Sequence, residues 1–348
     1  MQNRVLYFDY LRGVAIIFVV AIHSFFAVKN SASFLDISIR NFMNIAVPLF
    51  FGISGFFLAK KEISDKDTFL KFLKKQIPRV YIPVLFCSVP LLIEEIKGNG
   101  VGFFTFFEFF FCGYSVYYFV AVIIQCYLLL FLLNKLYNKS LKFFLIVALG
   151  ILFLNAFSWG VYTHLIAPVR PLPLLLYAGG FWMWGSFFAI GFYLGKLQYR
   201  NYSVKKYAVF SAICFGLCLL ETFILNNPNA FNGVGQKFST MFFGASLLPI
   251  LFSEKLENAP CFNTIGMNFA GGGILSWLKL LGSYSFGIYL IHCYFIRIYR
   301  FISVHGNFGF SGTFYWMCLT FVFLNICLFT LIILKKIFPK SSRIFLGV

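Results

Sequence analysis

Charged residues are scarce in this chain. Asp, Glu, Lys and Arg make up 11% of its 348 residues, against roughly 25% in a soluble domain. That shortage excludes a soluble globular protein. Acids are scarcer than bases, 11 against 29, so the formal net charge is +18. No C-x-x-C pair occurs. Cys87, Cys112, Cys126, Cys214, Cys218, Cys293, Cys318 and Cys327 lie in apolar surroundings, and only Cys261 sits in a loop-like stretch. Neither a disulfide framework nor a metal centre has that pattern, so the cysteines read as small apolar filler. Strict apolar–polar alternation is also missing: runs such as 141–159 are continuous and nearly uncharged, which excludes barrel strands.

What is present is apolar bulk. Hydrophobic residues make up 60% of the chain, enough for about ten membrane helices of about 20 residues each. Ten segments can be marked, at 11–29, 40–59, 77–96, 115–134, 142–158, 176–195, 207–225, 237–253, 280–303 and 312–334. The fold expected is an all-α integral membrane protein with a single transmembrane domain over 1–338, a short tail at 339–348 and no appended soluble domain. The Phe-rich stretch 101–113 is too short to span and suits a re-entrant or interfacial helix. The stretch 253–276 reads as a mildly polar linker. No small-residue cleavage site follows the first apolar run at 14–28, so it is expected to be a retained span.

The basic residues have a destination in this scheme. With the N-terminus inside, 22 of the 29 Lys and Arg fall on the inner side and 7, Arg40 among them, on the outer side. The positive-inside bias then places both termini in the cytoplasm and makes a nucleic-acid partner unnecessary. The lipid bilayer is the partner.

Ionisable residues within spans are costly and are functional candidates. Arg12 and His23 are 11 positions apart, which is 20° beyond three helical turns. They therefore share a face and stand roughly 16 Å apart along the axis. Asp9, three residues before Arg12, is placed to pair with it. Arginine can hold a phosphate bidentately, and histidine can act as a general base near neutral pH. A phosphate-headed, thin-armed donor such as an acyl-CoA would connect the two. Against this stand plainer roles, Arg12 as a topology anchor and His23 as a satisfied core histidine.

Four ordered stretches resemble the membrane-bound acyltransferase-three family. Tyr7-Phe8-Asp9-Tyr10-Leu11-Arg12-Gly13-Val14-Ala15 followed by His23 is similar to its opening signature. Phe50 to Leu58, with Ser54-Gly55 at its centre, resembles its second-span motif. Arg79-Val80-Tyr81-Ile82-Pro83 is similar to the basic start of its third span. Gly282-Ser283-Tyr284-Ser285-Phe286-Gly287-Ile288-Tyr289-Leu290-Ile291-His292 looks like its late-span signature. The resemblance covers nearly the whole chain. It implies transfer of an acyl group, usually acetyl, from cytoplasmic acetyl-CoA to a hydroxyl of a surface carbohydrate, with Arg12 and His23 as the residues required. Two departures stand out. Gln76 occupies the first position of the family's Arg-x-x-Arg, with Lys74 and Lys75 beside it, and Tyr117-Tyr118-Phe119 replaces its Trp-containing motif.

From these motifs Arg12, Lys74, Lys75, Arg79, Ser54 and Gly55 are candidates for holding the donor. Lys74, Lys75 and Arg79 serve equally as an ordinary cytoplasmic basic loop, and Ser54-Gly55 as a helix-packing pair. Glu94, Glu95, Tyr117, Tyr118 and His292 are candidates for the acceptor side, His292 alternatively making a structural hydrogen bond to a neighbouring helix. Glu221 is placed similarly, and His164 and His305 read as exposed loop residues. Two other functions use many spans and a buried charged pair: a transporter or flippase of lipid-linked sugars, and an acetyl carrier feeding a separate transferase.

Overall fold

The computed structural model describes residues 6–25, 33–61, 63, 65–170, 172–197, 200, 202–225, 235–259, 273–306 and 312–348. These form helices and no strand. In chain order they are α1 (Leu6–Phe25), α2 (Phe34–Met43), α3 (Ala46–Ala59), α4 (Lys66–Asn99), α5 (Phe103–Phe110), α6 (Tyr118–Lys139), α7 (Leu141–Val161), α8 (Leu174–Ala178), α9 (Phe181–Lys196), α10 (Val204–Leu220), α11 (Phe238–Leu251), α12 (Glu254–Glu257), α13 (Ile274–His305), α14 (Thr313–Ile337) and α15 (Pro339–Phe345). A 3-10 turn at Ser115–Tyr117 leads into α6, and π turns at Tyr162–Ile166 and Glu221–Leu225 follow α7 and α10. Among the described residues nine helical stretches are long and apolar enough to cross a membrane, α2 and α3 together counting as one. The protein is an all-α integral membrane protein. The eighth apolar segment forms only the 14-residue α11, shorter than the roughly 20 residues of a full span.

Local chemistry sets several boundaries. Ser33 caps α2 in a reciprocal box with Asp36: the Ser33 Oγ accepts from the Asp36 amide, and the Asp36 carboxylate accepts from the Ser33 amide at 2.9 Å. The cap starts a helix well ahead of the apolar run that begins at residue 40. Asp65 caps α4 by accepting from the Thr68 amide at 2.8 Å. Three prolines, Pro78, Pro83 and Pro90, lie inside the 34-residue α4, each removing one amide from the helical ladder. The stretch 101–113 yields the eight-residue α5, with Phe103, Phe104 and Phe110 exposed, as suits a short helix in the interfacial layer. Within the stretch read as a short tail, Pro339–Phe345 form α15, docked against α4 and α14.

Between helices in lipid there is little hydrophobic driving force, so close backbone approach matters more. Glycine supplies it at two interfaces. A Cβ on Gly13 would strike the Leu278 carbonyl, and one on Gly282 the Asp9 carbonyl, so α1 and α13 meet backbone to backbone. Likewise Gly191 faces the Gly52 carbonyl and Gly55 the Phe188 carbonyl, pressing α3 onto α9. Large apolar side chains on α7, α10 and α14, among them Phe153, Phe157, Ile213, Leu217, Phe321 and Phe329, are exposed. A lipid-facing surface accounts for them.

Candidate active site

The face of α1 that carries Arg12 also carries Val19, Ile22 and His23, and all four line one cavity of about 790 Å³. The adjoining wall is α13, which contributes Ser285, Tyr289, Cys293, Ile296 and Arg300. Ser285 and Arg300 are 15 residues apart on one helix, so the cavity runs roughly 22 Å along it. From α3 come Val47, Phe50 and Ser54, one helical face again, and from α6 Tyr118, Phe119, Ile123 and Tyr127. The cofacial spacing read from the sequence therefore becomes an elongated cleft with Arg12 towards one end and His23 farther along.

His23 faces the cleft with His292 behind it, the ring centroids 5.3 Å apart. His292 is fully buried. Its Nδ1 sits 2.8 Å from the Tyr289 carbonyl and 3.1 Å from that of Ile288. Carbonyls only accept, so Nδ1 carries the proton and donates. Its Nε2 then faces the Cys293 Sγ at 3.3 Å. His292 bonds within its own helix, not to a neighbouring one, and supports the His23 ring from outside the cleft.

At the Arg12 end, Asp9 accepts from the Arg12 guanidinium at 2.9 Å, as the i,i+3 spacing requires. Asp9 is wholly buried, whereas 29% of the Arg12 side chain is exposed and Arg12 lines the cleft. Phe57 lies under the guanidinium, 5.1 Å to its ring centre. Beyond it is a basic rim. Lys60 sits over the Phe56 ring and Lys61 over Phe72. Partial burial, then the nearby Lys75 and Arg79 charges, pull the Lys61 ammonium below its ordinary value. The last turn of α3 and the first half of α4 thus crowd like charges, an arrangement that favours a polyanion.

The structure therefore gathers Arg12, His23, Ser54 and Tyr118 around one cleft. The Ser54 hydroxyl donates back to the Phe50 carbonyl at 2.9 Å, leaving its lone pairs towards the space. Other candidates lie elsewhere. Gly55 is turned to α9, where its missing side chain admits the Phe188 carbonyl. Lys74, Lys75 and Arg79 are exposed, off the cleft wall, although Val80 beside Arg79 lines it. Glu94 pairs with Arg297, which itself lines the cleft, and Glu95 is half-buried off the cleft wall. Tyr117 is buried and donates to the Leu290 carbonyl at 2.7 Å, while Tyr289 donates to the Val116 carbonyl at 2.6 Å. This reciprocal bolt ties the 3-10 turn to α13 and presents Ser115, whose φ of 52° is left-handed, to the cleft. Glu221 accepts from His164 at 2.6 Å and from Ser239, so both residues fasten the π turns and α11. His305 is exposed, its Nδ1 on the Phe301 carbonyl.

Sequence reasoning passed over Arg40. It counted as an outer loop charge, yet it lies inside α2, is 4% exposed and lines the cleft together with Asn44, Gln236 and Arg300. The available signal was the Ser33–Asp36 capping box, which marks a helix start early enough to enclose residue 40.

The model of a family described as "Acyltransferase domain" matches residues 5–333. The chain is similar to the Bacillus subtilis protein named "Putative membrane-bound acyltransferase YfiQ", with 23% identity over 315 residues, covering 83% of this chain and 80% of that one. No solved structure matches.

Proposed function

Because the chain belongs to the acyltransferase-three family and is therefore a membrane-bound acyltransferase, we propose that its donor is acetyl-CoA and its acceptor a hydroxyl of a surface or lipid-linked carbohydrate. The observation that carries this reading is the shared cleft: an arginine with a basic rim at one end and a histidine farther along. The membrane is taken to be the bacterial inner membrane. The excess of Lys and Arg on the loops at the Arg12 end supports a cytoplasmic position for that end, where the donor is. Arg12, with Lys60, Lys61, Lys75 and Arg79 nearby, holds the donor's phosphates. The thin arm extends past Ser54 and Tyr118 towards His23.

The chemistry then needs one base. His23 takes the proton of the sugar hydroxyl as its oxygen attacks the thioester carbonyl. The carbon–sulfur bond breaks, and the departing CoA sulfur receives that proton from the imidazolium. A transient acyl group on His23 is the two-step version of the same transfer.

Two measurements test this. Purified protein in liposomes, given acetyl-labelled acetyl-CoA outside and glycan acceptor inside or outside, is expected to place label on the glycan. Transport of unmodified glycan with no loss of acetyl-CoA would instead mark a flippase. Arg12→Lys keeps the charge but replaces a planar fork with a point charge. It is expected to raise the apparent KM for acetyl-CoA about tenfold, the worth of one charge-assisted hydrogen bond. An unchanged KM would leave Arg12 as a topology anchor only.

A further inference from the structure

The far end of the cleft has a chemistry that donor binding does not use. Arg40 is nearly sealed from solvent, and its Nη1 donates to the Asn44 Oδ1 at 2.6 Å. Its Nε has no hydrogen-bond partner. Among the described residues neither Arg40 nor Arg300 has a carboxylate within ion-pair distance, though both act electrostatically on His23. Behind Arg40 is a second buried cation, Lys237, whose Nζ donates to the Asn41 Oδ1 at 2.5 Å. Gln236 borders the same space with its Oε1 unpartnered, its Nε2 being used on the Asn44 carbonyl.

A guanidinium kept out of water without a counter-ion is unfavourable by several kcal/mol. The cost is offset when an anion arrives, and a free Nε beside the fork is the donor set that grips carboxylate or phosphate. Gln236 adds an acceptor for a hydroxyl next to that anion. The Arg12 end already has its own anion-binding group, and the two are separated by His23.

We infer that the Arg40 end is an acceptor subsite selective for a sugar bearing an anionic group, a carboxylate or a phosphate, seated on Arg40 with Arg300 beside it. The inference rests on the acyl-transfer reading only for the order of events; the anion site itself is a statement about binding. Anchoring the anion there holds a neighbouring hydroxyl towards His23, and neutral sugars of the same size bind weakly.

Binding and turnover separate the two statements. Glucose, glucuronic acid and glucose 1-phosphate are titrated against the purified full-length protein without donor, following its thermal midpoint, and then tested as acceptors with acetyl-CoA. Wild type is expected to bind one or both anionic sugars about 30-fold more tightly than glucose, and Arg40→Gln to lose that preference. Whether the carboxylate or the phosphate sugar leads identifies the source of the charge. In turnover, Arg40→Gln should raise the acceptor KM with little change in the KM for acetyl-CoA. Arg300→Gln provides a milder variant, with a smaller loss of preference, should the buried substitution fail to fold. Equal binding of glucose and both anionic sugars by wild type overturns the proposal, as does an undiminished preference in Arg40→Gln or, if that variant fails to fold, in Arg300→Gln. Selective anion binding without acetylation of any acceptor would sustain the site while removing the carbohydrate-transfer reading.

Discussion

Replacing His23 with Ala is expected to lower acetyl transfer by about 10²–10⁴-fold, the usual worth of a positioned general base, while protein amount and donor binding stay near wild type. His23 supports this split because it faces the cleft, and among the described residues no hydrogen bond ties it to another helix. Its neighbour should behave differently. His292 is enclosed, with Nδ1 committed to two carbonyls of its own helix, so His292→Ala removes a buried ring, leaves a cavity behind His23 and costs about 2–5 kcal/mol of stability. Single-turnover transfer and thermal midpoint, measured on both variants, separate the roles. Transfer by His23→Ala within a few-fold of wild type would end the general-base mechanism. An acid-labile acetyl group trapped on wild-type protein in the absence of acceptor would favour the two-step route.

The second large effect is at a residue with no chemistry. Gly282 faces the Asp9 carbonyl, and Asp9 belongs to the turn of α1 that holds Arg12. Gly282→Val puts a branched side chain against backbone, which cannot rotate away. Overpacking of this kind costs about 1–3 kcal/mol or more, and the helices must separate to relieve it. Separation moves Arg12 and His23 together relative to Ser285, Tyr289 and Cys293, and a misplacement of about 1 Å can cost on the order of 100-fold in rate. The variant is therefore expected to melt lower and to lose more activity than its remaining folded fraction explains. Wild-type melting and wild-type turnover would show that α1 and α13 are free to part. Gly150→Ala on α7 is the control, since nothing lies within 4 Å of its Cβ position.

Both expectations depend on residues that the sequence exposed to different degrees. Arg12, Asp9 and His23 were legible because a 3.6-residue period decides their relative positions, and the helix that carries them is long and continuous. The apolar runs were legible from their length and continuity. Their ends were not. Ser33 and Asp36 begin α2 in a polar stretch, and hydropathy alone starts the segment at Arg40, which turned a buried arginine into an apparent loop charge. The eighth run yields only 14 helical residues, and Lys237 at its head is buried and bonded to α2. Ser54 and Gly55 show the remaining limit. Adjacent helical residues point about 100° apart, so one lines the cleft while the other meets α9. Which does which depends on the partner helices, and no local pattern encodes those.

The placement of the arginines bears on permeability as well. A cleft this long in a membrane enzyme is a hazard to the ion gradients of the cell. Here the middle is mainly apolar, with Val19, Val47, Phe119 and Ile123 on its wall, and arginine stands near either end. Fixed positive charge raises the energy of any entering cation, and an apolar middle offers it no solvation. The charges that attract anionic substrates thus also oppose leakage of protons and sodium, letting so long a cleft coexist with an energised membrane.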